Sequence, residues 1–336
     1  MTGVGTGAVD LVEVWRGDLL ECVHLGHAVI CDASGHILHA WGDPQTVTYP
    51  RSSAKMIQAL PLVESGAADA FGLRTDHLAL ACASHIGASY HTERVRDWIG
   101  ALGLTDDAFR CGAQEPSDRA ARDGLIRAGE RPCQYHNNCS GKHSGFLTLN
   151  RHLGGDADYE LIDHPVQKAA RAAFEEVTDA TSPVWGIDGC SAPNFATTLV
   201  AMARGMAQFA TAGQRSGVRA AAQVRLVDAM LTHPELVAGE GKPCTELMRA
   251  CGGKAALKGG AEGYYIGILP GLGLGIALKV ADGADRGKDS AIAALLIRLG
   301  VLDPAHQAAR RLVGGPQHNR RGTVVGQIRA APGLGL

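Results

Sequence analysis

The sequence has no excess of charge of either sign. Lys plus Arg number 32 against 34 Asp plus Glu, a net charge of -2. A nucleic-acid binder needs a basic surplus to neutralise phosphates, so nucleic acid is not an expected partner. No uninterrupted apolar run reaches the ~20 residues of a membrane span, so no membrane association is expected either. The stretch Met1 to Leu11 has no basic residue and contains Asp10, which argues against a secretory signal. No segment recurs with the period of a solenoid or propeller, and no Walker A lysine motif occurs. Aromatic residues make up only 5%. The cysteines are nine, an odd number, and widely spaced in a chain of 336 residues. Small disulfide-built scaffolds look different, and a reducing, cytoplasmic setting is expected.

What the chain does have is 46% apolar residues and 44 glycines, enough for a large core with close-packed helices and tight turns. The length allows one large domain or two intimate ones. Val9 to Trp15, Leu20 to Cys31 and His36 to Trp41 read as strands, the last two joined by the turn Asp32-Ala33-Ser34-Gly35. The middle reads as helices. Pro165 opens one with Val166, Ala170, Ala173 and Val177 along a face. Leu199, Met202, Met206 and Phe209 form a second stripe, and Val224, Val227 and Leu231 a third. Strands return at Tyr264 to Leu269 and Gly273 to Val280, then a helix Asp289 to Leu299 and a last strand Thr323 to Arg329. The run Gly271-Leu272-Gly273-Leu274-Gly275 leads into a strand and not a helix, so it is a glycine-rich hairpin and not a phosphate loop. The pattern predicts an α+β fold: one antiparallel sheet built from both chain ends, with helices around it and an inserted helical part. Residues 1–60 and 255–336 form the sheet region, and 61–254 the mainly helical region, of a single catalytic domain.

Four segments carry chemistry. In Tyr49-Pro50-Arg51-Ser52-Ser53-Ala54-Lys55, a helical run from Pro50 to Leu60 puts Ser52 and Lys55 on one face. A serine hydroxyl is a weak nucleophile until a base takes its proton, and an amine serves as that base once burial disfavours its charged form. Met56, Ile57 and Leu60 make the surroundings apolar. Ser84 and His85 end the apolar run Leu78 to Ala83, which offers a second hydroxyl at the end of a buried element. Lys258-Gly259-Gly260 precedes a strand and echoes the K-T-G element of serine penicillin-recognising enzymes, with Gly259 in the Thr position. Its small residues leave room for a substrate to approach the backbone.

The fourth segment is a metal candidate. His136-Asn137-Asn138-Cys139-Ser140-Gly141-Lys142-His143 places Lys142 at the separation of a C-x-x-C clamp from Cys139, and Cys190 follows Asp188-Gly189. Two thiolates and a neutral amine suit zinc, with His136 and His143 as spare nitrogens. A different reading makes Cys139 a nucleophile and His143 its base.

Taken together and in this order, these segments resemble the rhizobial-type, thermolabile L-asparaginase II family. The resemblance runs from about Val12 to about Val301, and His136 to His143 is its most specific stretch. It implies a fold similar to serine β-lactamases and penicillin-binding proteins. It also implies two serine–lysine pairs, Ser52 with Lys55 and Ser84 with Lys258, a zinc held by Cys139, Lys142 and Cys190, and a homodimer. The expected reaction is hydrolysis of L-asparagine, with Arg51 placed for the α-carboxylate and Asp188 for the α-ammonium group. The alternatives are another serine amidohydrolase, acting on glutamine or a β-lactam, and a non-catalytic zinc-dependent asparagine-binding protein. The chain departs from the family pattern at Ile86 to Tyr90, at Cys111 to Pro116 and at Lys242, where arginine is commoner. These positions bear on substrate choice or rate.

Overall fold

The computed structural model describes residues 3–334. The chain forms two units. The sheet unit comprises the described residues of Met1–Ser53, Ala196–Thr211 and Glu246–Leu336, and the helical unit comprises Ala54–Phe195 and Ala212–Thr245. The cuts thus fall at Ser53/Ala54 and Thr245/Glu246, and Ala196–Thr211 joins the sheet from within the stretch that sequence places in the helical region.

The sheet has eight strands: β1 Val9–Arg16, β2 Leu19–Asp32, β3 Ile37–Trp41, β4 Ala256–Gly259, β5 Tyr264–Leu269, β6 Leu274–Val280, β7 Pro316–His318 and β8 Val324–Ala330. Their spatial order is β7-β8-β1-β2-β6-β5-β4, with β3 also on β2. Every pairing is antiparallel. Strands from the two ends therefore interleave, as the sequence pattern predicts: β1 pairs with β8, and β2 with β6. The long β2 makes this possible, because Leu19 to Gly26 pairs with β1 and Gly26 to Asp32 with β6.

β5 and β6 are buried at every residue. Their apolar runs, interrupted in β6 only by Lys279, are those of strands covered on both faces. The helices Leu199–Ala210 and Asp285–Arg298 both pack on them, and Leu199, Met202, Met206 and Phe209 are core. Gly275 explains the glycine-rich run. A Cβ there would stand 2.1 Å from Ala203 O and 2.3 Å from Ala207 N, so glycine lets the helix backbone lie directly on β6. The turn from Asp32 is closed by the Asp32 carboxylate, which accepts from Ser34 N at 2.9 Å and His36 N at 3.1 Å.

The helical unit is built around the helix Ser140–Leu153, buried from Ser140 through Asn150. It packs against the helices Thr75–Ala81, Ser89–Ala101 and Pro165–Thr178. In the last of these, Val166, Ala170, Ala173 and Val177 are buried as their spacing predicts, and His164 Nδ1 caps Val166 N at 3.1 Å. The helix Val218–Thr232 is turned relative to the expected stripe. Val227 is buried as expected, together with Ala222, Leu226, Ala229 and Met230, while Val224 and Leu231 are half-buried. The expected run from Pro50 to Leu60 is also broken. Arg51–Ala54 is a 3-10 turn, Lys55–Gln58 a single helical turn, and a new helix Leu60–Glu64 carries Pro61 in its first turn, where proline is tolerated. Among the described residues no helix is long and apolar enough to cross a membrane, and all nine cysteines are free.

Candidate active site

In the helical unit the close approach of two helices assembles the site. A Cβ on Gly141 would stand 2.4 Å from Leu80 O, so glycine alone lets the start of Ser140–Leu153 abut the end of Thr75–Ala81. The residues just past that contact are then pinned by backbone bonds: Ser84 N to Val237 O at 2.9 Å and His85 N to Asn138 O at 3.1 Å. Lys55 is 1% exposed. Its Nζ donates to Ala83 O, to Ser84 Oγ at 2.9 Å and to Cys139 Sγ at 3.1 Å. One amine thus joins a serine hydroxyl to a cysteine of the expected metal set.

His85 is not placed as a base. Ser140 Oγ–H donates to Tyr135 O at 2.9 Å, so Ser140 accepts from His85 Nε2–H at 2.9 Å, while His85 Nδ1 accepts from Gly87 N at 3.1 Å. Burial pushes the His85 pKa well below its usual value, so the ring is a neutral strut.

The thiol cluster adjoins Lys55. Cys139 N donates to Asn137 Oδ1 at 2.8 Å. Lys142, one turn further, donates through Nζ to Cys190 Sγ at 3.0 Å. Cys190 sits in the loop of a small hairpin in which Trp185–Ile187 pairs with Pro193–Phe195. Ser191 there has φ 70°, and Asp188 N bonds Ala192 O at 2.9 Å. Cys139 and Cys190 bear directly on each other's ionisation. The hydrogen bond between them, then burial, holds the Cys139 thiol well above its ordinary pKa. The same bond, opposed by burial and helped by Lys142, takes Cys190 far below its own. Burial disfavours the Lys142 charge, but the Cys190 thiolate and then Cys139 outweigh it and hold the ammonium firmly protonated. Cys111 adds a third sulfur whose pKa burial, then Cys190, pushes up to about 12.

This set fits zinc. Its donors are two sulfurs and an amine, the borderline-soft kind that zinc takes. In the thiol, thiolate and ammonium forms the trio carries no net charge. Loss of one proton each from Cys139 and Lys142 would leave the two negative charges that a divalent cation balances. The lysine is indispensable, since no group of three or more His, Cys, Asp or Glu side chains among the described residues could hold a metal. Of the spare histidines, His136 is engaged elsewhere, with Nδ1 3.2 Å from Cys133 Sγ and accepting from Cys133 N at 3.1 Å. His143 acts on Cys190 and not on Cys139, and a Cys139 that keeps its proton lacks the thiolate a nucleophile needs. Asp188 is half-buried and its carboxylate bears on Lys142.

The sheet unit holds Arg51, Ser52 and Lys258. Ser53 Oγ donates to Lys258 O at 2.9 Å, which ties the serine segment to β4. A Cβ on Gly260 would meet Pro50 O at 2.7 Å, so that glycine accommodates the chain's own carbonyl rather than a substrate. Lys258 is 1% exposed and donates to Gly259 O at 2.7 Å. Arg51 adopts φ 52°, a strained value for a residue with a side chain, and faces Glu262 Oε1 at 3.9 Å. Each pair implied by the resemblance, Ser52 with Lys55 and Ser84 with Lys258, takes one member from each unit. Within its own unit Lys55 is bonded to Ser84. Sequence reasoning missed Tyr159, whose Oη lies 2.8 Å from His143 Nδ1. It stands in the polar run Asp156 to Glu160, which reads as a solvated loop.

Among solved structures the chain is similar to Mglu, with 13% identity and a TM-score of 0.44 over 84% of this chain and 61% of that one. It thus spans under two thirds of the length of Mglu. It is also similar to a putative β-lactamase from Bacteroides dorei, with 12% identity and a TM-score of 0.42 over 86% of this chain and 93% of that one. A β-lactamase from Mycobacterium bovis is a third such structure, at 11% identity and a TM-score of 0.37 over 81% of this chain and 94% of that one. No curated protein matches the chain. The family model described as L-asparaginase II matches residues 12–330, which take in both serine segments, Lys258 and all three residues of the thiol–amine set. The chain belongs to the L-asparaginase II family.

Proposed function

We propose that the protein is an L-asparaginase that hydrolyses L-asparagine to L-aspartate and ammonia by serine–lysine catalysis. The observation that carries this reading is the buried Lys55 amine within hydrogen-bond distance of Ser84 Oγ, three residues along the chain from Ser52. Lys55 Nζ takes the proton of Ser52. Ser52 Oγ attacks the side-chain carboxamide carbon and forms a tetrahedral oxyanion. Collapse breaks the C–N bond. The proton on Lys55 passes through the Ser84 hydroxyl to the departing nitrogen, which leaves as ammonia. Water then attacks the Ser52 ester and gives its proton to Lys55, which returns it to Ser52 Oγ as the ester bond breaks and aspartate leaves. Arg51 receives the α-carboxylate and Asp188 the α-ammonium group. Lys258, which the resemblance pairs with Ser84, relays the proton or positions the water.

Cys139, Lys142 and Cys190 would hold zinc. When bound, the ion supplies an electrophile with an open position that fixes the substrate. The assembly proposed is a homodimer in a reducing compartment. The test is ammonia release from L-asparagine and L-glutamine, with nitrocefin as a third substrate. Turnover of asparagine well above the other two supports the reading. Preference for glutamine or nitrocefin moves it to another serine amidohydrolase, and asparagine binding without turnover moves it to a binding protein.

A further inference from the structure

His143 is the nitrogen that the proposed metal set leaves over. Its ring is wholly buried on the helix that carries Lys142, and Nε2 has no hydrogen-bond partner among the described residues. A buried imidazole adjoining Lys142 in the chain is a candidate zinc ligand, and as a fourth protein ligand it would close the site.

The other edge of the ring decides the matter. Tyr159 Oη accepts from the backbone N–H of Arg110 at 2.9 Å, and a backbone N–H can only donate. Tyr159 has no exposed surface, and burial holds its phenol well above the ordinary range, so it keeps its proton out of reach of water. Its partner for that proton is His143 Nδ1 at 2.8 Å. The reverse arrangement, Nδ1–H donating to the phenol, would leave the Tyr159 O–H buried without an acceptor. Nδ1 is therefore the acceptor, and the neutral ring carries its proton on Nε2.

We infer that Tyr159 is a positioning residue that keeps the His143 proton on Nε2, withholds the ring from the metal, and so keeps a coordination position open. The tautomer belongs to the metal-free protein as well, and only the consequence for zinc rests on the function proposed above.

The experiment is long-range proton–nitrogen NMR on the full chain labelled with nitrogen-15 histidine, with and without zinc. His143 is assigned by the loss of its signals in His143→Gln. Nε2 protonated and Nδ1 unprotonated in both states is the expected result. Nδ1 protonated in the metal-free protein, or Nε2 moving to a metal-bound shift when zinc is added, would overturn the inference. In Tyr159→Phe the ring is released to bind. Nε2 should then take a metal-bound shift, and the zinc dissociation constant should fall by about tenfold, the scale at which outer-shell changes move metal affinity, here in the tightening direction. An unchanged zinc constant and tautomer in that variant would also overturn the inference. If the wild type binds no zinc yet shows Nε2 protonated, the metal reading fails and the tautomer assignment stands.

Discussion

The two units hold their functional residues by different means. In the sheet unit Arg51, Ser52 and Lys258 sit at joints fixed by the main chain: Ser53 bonds the carbonyl of Lys258, and Gly260 fits under Pro50. In the helical unit the functional side chains hold one another, Lys55 on Ser84 and Cys139, Lys142 on Cys190. A site built on main-chain contacts tolerates side-chain change and fails when the backbone moves. A site built from mutual side-chain bonds in a buried setting couples its members, so one substitution disturbs several.

The largest effect follows from breaking the most connected side chain. Lys55→Met should lower kcat for asparagine by about 10^3-fold, the scale of a lost general base, with a near-native circular dichroism spectrum. A fall of less than tenfold would remove Lys55 from the chemistry. Next comes Cys190→Ala, which takes the thiolate from Lys142 and from the metal set. The purified variant should carry no stoichiometric zinc by elemental analysis, with the KM for asparagine raised more than kcat is lowered.

A matched pair of backbone tests sharpens the contrast. Gly141→Ala and Gly275→Ala each drive a Cβ into a carbonyl, at 2.4 Å and 2.1 Å. Each should destabilise by about 1–3 kcal/mol in urea unfolding. Only Gly141→Ala should also depress turnover, because only its helix carries Cys139 and Lys142. Equal activity losses in the two variants would erase the distinction between the units.

The smallest effect is a pH slope. His91 stacks on His85 at 4.8 Å, donates to Glu235 O, and has its pKa lowered to about 4, chiefly by burial. The unfolded chain titrates near 6.5, so between these values it holds a proton that the native state lacks. Stability therefore falls as pH drops, by about 1.4 kcal/mol per unit from this group. His91→Gln should flatten the loss of the urea midpoint between pH 6.5 and 4.5. An unchanged slope would show that His91 titrates alike in both states.

The same contrast governs what could be read from the sequence. β5 was legible because six consecutive apolar residues mark a strand covered on both faces, and the Asp32 turn because its side chain closes it locally. Pro61 misleads on the preceding segment: proline ends one helix but also fits the first turn of the next. Cys139 and Lys142 were legible from their spacing on one turn. The bonds from Lys55 to Ala83 and Cys139 were not, since they depend on how closely Gly141 lets two helices approach, a property of packing that no local pattern encodes. Tyr159 was hidden for the same reason.

The central claim is that a serine hydroxyl served by Lys55 opens the amide of asparagine. Its most direct test is ammonia release from L-asparagine by the wild type beside Ser52→Ala and Ser84→Ala. The account predicts turnover by the wild type, loss to background in Ser52→Ala, and a partial fall in Ser84→Ala. A Ser52→Ala protein as active as the wild type would contradict it.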